Sequence, residues 1–533
     1  MNSAGEEPSP GPAPQLEWHP SGHNPWLVAV VATLGTFMEV LDTTIVNVAL
    51  PHMAGNLGAD VNDSTWVLTS YLVSNAIVLP LSAWFSSLIG RRNFYMLCMA
   101  LFTTSSLCCG FAPTLGTLVL FRLFKGMGGG GLQPATQAIM VDAFPPEKRG
   151  SSMAVFGMTV VFAPIIGPTL GGWLTDNYSW RWVFFINIPV GILSMLLVPR
   201  LISDPPYFRR RRGAHRFRLD YIGLGLLSLG LGTLQIVLDL GERRDWFEST
   251  FIRNFAIISA VSLVAVIFWE LRHKDPVVNF RLLRERNLGF SCLVMFLFGA
   301  SLYGSTVLLP LFMQTLLGYT SLSSGLALSP GGIVTLFMMP IIGILVSRTD
   351  QRRMIAFGIL VITGAIFEMG RMYLQIDFKT VALFRIAQGF GMAFIFVPVN
   401  TLAYAYVARE TRDSASSLIN LARNIGGSMG IAFSTTLITR YSQVHQTHLV
   451  SHLTPYDADC VARLDRIAQS FYSRSGDPVG ALHQAHAALN FTVLQQARNL
   501  AFMDVFHILA FVTLLILPLA FFMRRPPKTT ATP

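Results

Sequence analysis

Fourteen apolar runs, each about as long as a membrane-spanning helix, dominate this sequence and leave few folds open to it. A helix needs about 20 predominantly apolar residues to cross the hydrocarbon core of a bilayer. The composition agrees, because only 13% of the residues are charged, against about 25% in soluble domains. The sequence therefore predicts an all-α integral membrane protein with fourteen transmembrane helices, at residues 26–50, 64–88, 93–113, 116–140, 150–174, 181–202, 219–240, 252–271, 287–316, 324–346, 354–374, 380–407, 413–438 and 501–523.

The distribution of basic residues predicts which way these helices cross the membrane. Of the 39 Lys and Arg residues, 24 lie in or beside loops on the same side as the N-terminus, and ten lie on the other side. Because loops rich in Lys and Arg face the cytoplasm, we expect both termini to be cytoplasmic. The run RRRRGAHRFR (209–218) is then an orientation and lipid-headgroup anchor rather than a nucleic-acid patch.

Two polar tails and one long loop lie outside the apolar runs. Residues 1–25 are polar and bear several prolines, without the basic start of a signal peptide, so we expect a disordered cytoplasmic tail, with a second tail at 524–533. Residues 439–500 form a long outside loop whose apolar residues recur at helical spacing. This pattern predicts two or three amphipathic helices that offer a docking surface. The histidines of the loop lack the nearby acid or cysteine of a zinc site, so we expect no metal there.

An internal repeat divides the chain into two halves. The pattern Leu-Phe-Arg-x-x-x-Gly-x-Gly occurs at 120–128 and again at 383–391, an offset of 263, and three further landmarks repeat at offsets of 259 to 261. We therefore expect two parallel six-helix bundles, 26–205 and 276–523, separated by a basic loop and two inserted helices at 206–275. Parallel repeats of this kind occur in transporters that bind substrate near the membrane midplane and alternate its access between the two sides.

Four motifs stand out in the first half: LDTTIVNVALP (41–51), SSLIGRR (86–92), LFRLFKGMGGGG (120–131) and GMTVVFAPIIGPTLGG (157–172). They resemble the motifs of a known transporter family, the fourteen-span drug:proton antiporters of the major facilitator superfamily. The likeness covers the chain from Trp26 to Met523, and it is greatest to EmrB-type multidrug efflux pumps. It implies a bacterial inner-membrane protein that uses protons as coupling ion, needs no other cofactor, and works with a periplasmic membrane-fusion adaptor and an outer-membrane channel.

Two acids in the first run and two bases in the fourth are expected at a similar depth. Asp42 lies about 12 Å below the outer end of its helix, and Arg122 and Lys125 lie about 8 Å and 12 Å below the outer end of theirs, at 1.5 Å per residue. Unpaired charges at this depth are costly. We therefore expect Asp42 and Glu39 to carry the coupled protons, with Arg122 setting the proton affinity of Asp42. In the alternative interpretation, the acids only neutralise the two bases.

The second half has its own charged residues inside or beside apolar runs. Glu368 and Arg371 lie near the outer end of the eleventh run, and Arg385 lies near the outer start of the twelfth. A static ion-pair cluster explains these three as well as a role in transport does. Arg423 lies in the middle of the thirteenth run, where its own helix offers no nearby acid.

A candidate cytoplasmic gate consists of Arg91 and Arg92, after the second run, and Asp142 at the end of the fourth. Their contact would hold the inner ends of the helices together in an outward-open state. An ordinary salt bridge at the membrane interface is the alternative. Small residues elsewhere in these motifs let helix backbones approach closely, and we expect this packing role for Gly126, Gly128, Gly167, Pro168, Gly171 and Gly172.

Together these patterns predict a secondary transporter rather than an enzyme. The runs 290–299, 336–340 and 391–398 are rich in Phe and Met, which suit loosely specified apolar ligands. We expect export of lipophilic or amphipathic compounds, cationic or neutral, in exchange for protons. A dedicated exporter of one endogenous metabolite or siderophore is the alternative, which the sequence does not separate. A membrane enzyme or receptor would need a reactive motif or a signalling domain that the sequence lacks, and the repeat argues against a passive channel.

Overall fold

A computed structural model describes residues 24–59, 61–145, 148–204, 220–273, 276–408, 411–454 and 456–524, and nearly all of them are helical. The basic anchor predicted at 209–218 and nearly all of the two predicted tails lie outside the described residues. The helices of the first half are α1 (Pro25–Asn56), α2 (Trp66–Ile89), α3 (Arg91–Gly110), α4 (Leu115–Ala143), α5 (Arg149–Asn177) and α6 (Asn187–Leu201), the last preceded by a helical turn at Trp182–Phe185.

The inserted helices are α7 (Tyr221–Leu240) and α8 (Thr250–Arg272). The second half contains α9 (Arg286–Thr315), α10 (Ser321–Leu345), α11 (Gln351–Met369), α12 (Phe378–Ala403), α13 (Arg412–Ser451), α14 (Ala458–Ser475) and α15 (Pro478–Leu514), which continues as Ile516–Phe522. Each of the fourteen predicted runs overlaps one of these helices, and the structure adds α14 and the short helix Val61–Ser64.

Eleven of the described helical segments are long and apolar enough to cross a membrane. The three predicted spans that do not meet this standard are α4, α11 and α13, each of which carries three or more charged residues. These helices lie among the other spans in the two bundles. The all-α membrane fold predicted from the sequence is therefore confirmed.

Local sequence explains where several helices begin and end. Thr114 caps the start of α4, because its hydroxyl accepts from the backbone N–H of Thr117 and the Thr117 side chain accepts from Thr114 in return. Gly90 joins α2 to α3 in a single residue at φ +92°, a backbone conformation that favours glycine. This turn marks one end of the bundle, which we call the inner end; the opposite end is the outer end.

Helix pairing repeats between the two halves. In the first half α1 packs on α5, α2 on α4 and α3 on α4; in the second half α9 packs on α13, α10 on α12 and α11 on α12. The halves meet where α5 packs on α10 and α2 on α13. The inserted helices pack on each other, and α7 also contacts α2 and α13. The insertion thus flanks one of the two seams between the halves.

Three helices extend beyond the bundle at the outer end. Helix α13 is 40 residues long, so it continues about 20 Å past residue 438, where the apolar run ends. Helix α15 begins 23 residues before the last apolar run, and α14 packs against it. The helices expected in the loop 439–500 are thus two extensions of membrane helices and one separate amphipathic helix.

Glycines allow several of the helix contacts of the first half. A Cβ on Gly126 would collide with the backbone of Tyr71 in α2, and one on Gly128 with the backbone of Phe102 in α3. Gly167 and Gly171 of α5 lie against α1, where a Cβ would collide with Thr44 and Ile45, and Pro168 is inside the same helix. Gly172 differs, because a Cβ there would meet only Val48, at 3.9 Å. The expectation that Gly172 is needed for close packing is therefore wrong.

Candidate functional site

The structure places Asp42 of α1 between two cations of α4. Its Oδ2 lies 2.5 Å from Nη1 of Arg122, and its Oδ1 lies 2.5 Å from Nζ of Lys125. All three side chains are fully buried. Arg122 Nε also donates to the carbonyl of Val67 over 2.9 Å, and Lys125 Nζ donates to the hydroxyl of Ser106 over 2.8 Å. The depth argument therefore placed these three residues correctly.

Aromatic rings enclose the two cations. The guanidinium of Arg122 lies 4.3 Å from the ring centre of Tyr71, and the ammonium of Lys125 lies 4.7 Å from that of Phe102 and 5.0 Å from that of Phe184. Cations are attracted to the faces of aromatic rings, most strongly where water is excluded. Asp42 thus lies in a buried, aromatic-walled site where its carboxylate is opposed by two positive charges.

Glu39 has a different environment, although it lies only one helical turn from Asp42. Its Oε1 accepts from Nδ2 of Asn75 over 3.1 Å, and its Oε2 accepts from Nε2 of Gln133. Among the described residues, no Lys or Arg side chain bonds it. The two acids predicted as one set are therefore distinct: Asp42 is ion-paired, whereas Glu39 is buried among neutral amides.

Arg423 of the second half reaches this network through Gln133. Its Nη2 donates to Oε1 of Gln133, the same side chain whose Nε2 donates to Glu39. Arg423 has 1% of its surface exposed, and its guanidinium lies 5.8 Å from the ring of Phe396. The sequence pattern left Arg423 without a partner, and Gln133 and Asn75 were not predicted. A chain of bonds thus runs from α2 through α1 and α4 to α13.

A second set of amides joins the halves one helical turn further inward. Gln137 Nε2 donates to Oδ1 of Asn400 over 2.6 Å. The Oε1 of Gln137 accepts from Nδ2 of Asn420 over 2.7 Å and from the hydroxyl of Ser416 over 3.1 Å. Gln133 and Gln137 are four residues apart, so one face of α4 carries both contacts.

The inner end of the bundle contains a four-residue ion-pair network across the halves. Arg91 lies 2.5 Å from Asp142 of its own half and 2.9 Å from Asp413 of the other. Asp142 also pairs with Arg412 of the second half. Arg92 takes no side-chain part in these pairs; its backbone N–H donates to Asp204 over 2.8 Å. The predicted meeting of Arg91 with Asp142 is present, without the side chain of Arg92.

The charged residues predicted as a second-half set are not brought together. Glu368 and Arg371 pair over 3.0 Å at the outer end of α11, where their side chains are 47% and 61% exposed. Arg385 is buried and donates to Gln388 Oε1 over 2.5 Å, and Gln388 donates to Ser305. Of the two alternatives, a static cluster of all three residues is excluded, because Glu368 and Arg371 pair at the surface and Arg385 points into the bundle.

Apolar side chains line part of the seam between the halves. Phe156 of α5 and Phe396 of α12 lie nearly parallel, with ring centres 6.1 Å apart. Met339 of α10 and Phe396 both lie beside Gly157. By contrast, Phe337 in the same Met-rich run is 67% exposed on the outside of the bundle. Only part of the run 336–340 therefore faces the seam.

The histidines of the outer extension have no arrangement typical of a metal site. His445 of α13 bonds Asp504 of α15 over 2.7 Å. The described part of the chain contains no group of three or more His, Cys, Asp or Glu side chains that could hold a metal ion. This pair instead ties the outward extension of α13 to α15.

Comparison with known proteins agrees with this architecture. The family model of the Major Facilitator Superfamily matches residues 32–431. The Multidrug export protein EmrB of Escherichia coli (strain K12) is 34% identical over 506 residues, 94% of this chain and 95% of that protein. The Fatty acid resistance protein FarB of Neisseria gonorrhoeae is 35% identical over 494 residues, 93% of this chain and 95% of that protein.

A solved structure supports the fold independently of close sequence similarity. The human organic anion transporter MFSD10 superposes with a TM-score of 0.60 at 15% identity, covering 92% of this chain and 100% of that one. The helix pairing that repeats between the two halves, and the polar contacts that join them, are observed directly in this structure and do not depend on the comparison. The chain therefore belongs to the Major Facilitator Superfamily, among the EmrB-type multidrug export proteins, and is a transporter rather than an enzyme.

Proposed function

We propose that this transporter exports lipophilic or amphipathic compounds in exchange for protons, by alternating access. The observation that carries the proposal is the buried carboxylate of Asp42 between Arg122 and Lys125. An acid in such a site binds a proton more readily when its cations move away. A conformational change that separates α1 from α4 thus changes the proton affinity of Asp42 and links proton movement to the movement of the halves.

The ion pairs at the inner end support an outward-facing assignment for this structure. Arg91 and Asp413 join the halves there, as do Asp142 and Arg412. In the proposed cycle, a proton enters from outside and binds in the Asp42 site while substrate leaves. Neutral Asp42 no longer holds its two cations, and the inner ion pairs then open. The proton leaves toward the cytoplasm, and substrate from the cytoplasm or inner leaflet takes its place.

The apolar seam supports a broad range of lipophilic substrates. Phe156, Phe396 and Met339 present flat or flexible surfaces that adapt to different shapes. The names of the relatives point the same way, since one is a multidrug export protein and another a fatty acid resistance protein. A dedicated exporter of a single metabolite or siderophore is the weaker alternative.

The proposed setting is a bacterial inner membrane with both termini in the cytoplasm. The excess of Lys and Arg in the loops of one side supports this orientation. The outer end then faces the periplasm, where α14 and the extensions of α13 and α15 form a projection. We include in the proposal a membrane-fusion adaptor that docks on this projection and continues to an outer-membrane channel. Protons are the only coupling species that the proposal requires.

Transport in everted membrane vesicles tests the proposal. A lipophilic fluorescent dye is supplied outside the vesicles, and its uptake is followed after respiration acidifies the interior. We expect Asp42→Asn to abolish proton-driven uptake and Glu39→Gln to reduce it strongly. Asp377→Asn is the matched control, since the exposed carboxylate of Asp377 accepts from the hydroxyl of Thr380 and no hydrogen bond among the described residues joins it to Asp42 or Glu39. Uptake at the parent rate by both the Asp42 and Glu39 variants contradicts the proposal.

A further inference from the structure

Gln133 joins two oppositely charged side chains that belong to different halves. Its amide nitrogen donates to Glu39 of α1, and its amide oxygen accepts from Arg423 of α13. None of the three side chains has more than 4% of its surface exposed. We propose that Gln133 makes the contact between the two halves depend on whether Glu39 is ionised. This inference rests on the proposed proton coupling and assigns Gln133 and Arg423 as positioning residues for it.

The ionised form of Glu39 fixes the orientation of the Gln133 amide. A carboxylate can only accept hydrogen bonds, and a guanidinium can only donate them. Gln133 therefore has to direct its NH₂ group to Glu39 and its carbonyl to Arg423. Asn75 supplies the second donor to Glu39 over 3.1 Å. In this state the amide acts as a link of fixed polarity between the first half and the second.

Protonation of Glu39 removes that constraint. A protonated carboxyl group carries its own O–H donor, which can bond the carbonyl of Gln133. The amide then reverses, and its NH₂ group faces the guanidinium of Arg423, donor against donor. The hydrogen bond between the halves is lost, and Arg423 remains buried without this acceptor, which destabilises the closed arrangement. A proton on Glu39 thus favours opening of the inner end.

The other charged and titratable groups near Glu39 leave this assignment intact. Asp42 is occupied by Arg122 and Lys125, and Arg423 is the basic side chain that acts on Glu39 from the second half. From the neighbouring helices α2 and α9, the groups that interact with Glu39 are the phenols of Tyr71 and Tyr303.

The direction of the effect fits an exchange of substrate for protons. A proton that arrives from the outer side protonates Glu39 and weakens the closed inner end. After the inner end opens, the proton leaves to the cytoplasm, and ionised Glu39 again orients Gln133 toward Arg423. Gln137 lies one turn inward on the same face of α4 and also contacts the second half. The Gln133 contact is thus the outer of the two, and we expect it to break before the contacts of Gln137.

Distances between the inner ends of the halves test the proposal without a gradient or a drug. Nitroxide labels are placed on cysteines at Asn93 and Ala408, which are exposed at the inner ends of the first and second halves, after replacement of the five native cysteines. Double electron–electron resonance then measures the fraction of open molecules between pH 5 and pH 8 in detergent-purified protein.

We expect acidification to raise the open-to-closed ratio of the parent by about tenfold, the size of a population shift produced by losing one hydrogen bond to a charged group. Gln133→Leu should give one open-to-closed ratio at all pH values, and Arg423→Leu should give the same result from the opposite half. Glu39→Gln should hold the distribution at its acidic value. The double variant of Gln133 and Arg423 should differ little from either single variant, because both remove the same bond.

Gln235→Leu is the matched control. Gln235 is a buried glutamine of α7 that contacts α13 through Ser428 and has no bond to Glu39, so its variant should keep the pH response. The inference is overturned if the pH response survives in both the Gln133 and the Arg423 variant. It is also overturned if the Gln235→Leu control loses the pH response to the same extent as they do. A parent that shows no pH response also overturns it. Failure of proton-driven uptake in the vesicle assay, with this pH response intact, instead contradicts the proposed function.

Discussion

Gln137 and Asn400 hold equivalent positions in the two repeats, and they bond each other across the seam over 2.6 Å. They are 263 residues apart, the same offset that separates Arg122 from Arg385. Residues related by a two-fold axis can contact each other directly only near that axis. The seam between the halves therefore meets the pseudo-two-fold axis at this amide pair.

The two halves differ at the equivalent cations. Arg122 pairs with Asp42, whereas Arg385 bonds the neutral Gln388. Gln388 itself occupies the position equivalent to Lys125. At these two positions the first half thus carries two bases that face an acid, and the second half retains one base, Arg385. This asymmetry supports the assignment of proton coupling to the first half.

Asp42→Asn should destabilise the protein as well as stop transport. The change leaves two buried cations without their counterion, and breaking one partner of a buried ion pair costs about 3–5 kcal/mol. Adding Lys125→Met should recover part of that stability without restoring transport. Thermal unfolding in detergent measures both effects. An Asp42→Asn protein as stable as the parent would mean that the cations are not held as described.

Charge exchange at the inner network should identify its function. Arg91→Asp places an acid beside Asp142 and Asp413, so it should open the inner end and increase labelling of a cysteine there by a membrane-impermeant maleimide. Combining it with Asp413→Arg should restore protection, because the opposite charges again meet across the halves. Arg92→Ala is the control, since its side chain takes no part in the network. Equal labelling of all four proteins would contradict a gate at this site.

Substitution of glycine by alanine should show which glycines are needed for close helix packing and which positions accept a side chain. Gly128→Ala forces a collision with the backbone of Phe102 between α3 and α4, whereas Gly172→Ala meets only Val48 at van der Waals distance. Overpacking of a tight interface costs about 1–3 kcal/mol, so Gly128→Ala should lower the unfolding temperature and Gly172→Ala should not. The midpoint of thermal unfolding in detergent provides the comparison, and identical midpoints for the two variants would refute the packing described.

The ion pair between Glu368 and Arg371, at the surface of α11, should contribute little to stability or to transport. The side chains of Glu368 and Arg371 are 47% and 61% exposed, and such surface pairs contribute about 0–1 kcal/mol. Glu368→Gln should therefore leave dye uptake and its pH profile unchanged in everted vesicles. A shifted pH profile would instead assign this pair a role in coupling.

Deletion of α14 should leave transport across the membrane intact and abolish docking of the proposed adaptor. Helix α14 lies wholly outside the bundle and packs on α15. A chain in which Gly-Ser residues replace 456–476 should still take up dye in everted vesicles, because both membrane bundles remain complete. In cells that supply an adaptor, it should lose adaptor-dependent resistance. Unchanged resistance would exclude α14 as the docking surface.

The sequence predicted those features whose energy depends on depth and charge. A lone charge in lipid is costly, so Asp42 had to meet the bases of α4, and Arg91 had to find an acid at the inner end. It could not predict Arg385 or the side chain of Arg92, because the direction of a side chain depends on how each helix is rotated in the bundle. The spacing of the glycine motif likewise did not reveal that a Cβ on Gly172 would meet only Val48, at van der Waals distance.

Gln133 and Asn75 were missed for a different reason. Neutral amides within apolar helices carry no charge signal, and their partners on α1 and α13 are far away in sequence. One signal was available: Gln133 and Gln137 place two amides on the same face of α4, directly after its run of glycines. Two buried amides one turn apart require partners, and this requirement predicts a polar seam.

Proton movement driven by substrate tests the central claim most directly. The purified protein is reconstituted into proteoliposomes that contain a pH-sensitive dye, and a gradient of a lipophilic substrate is imposed without any initial pH difference. The account predicts that substrate leaving the vesicles drives protons in, that Asp42→Asn abolishes this flux, and that Asp377→Asn does not. A substrate gradient that moves no protons through the parent, or an equal proton flux through the Asp42→Asn protein, would contradict it.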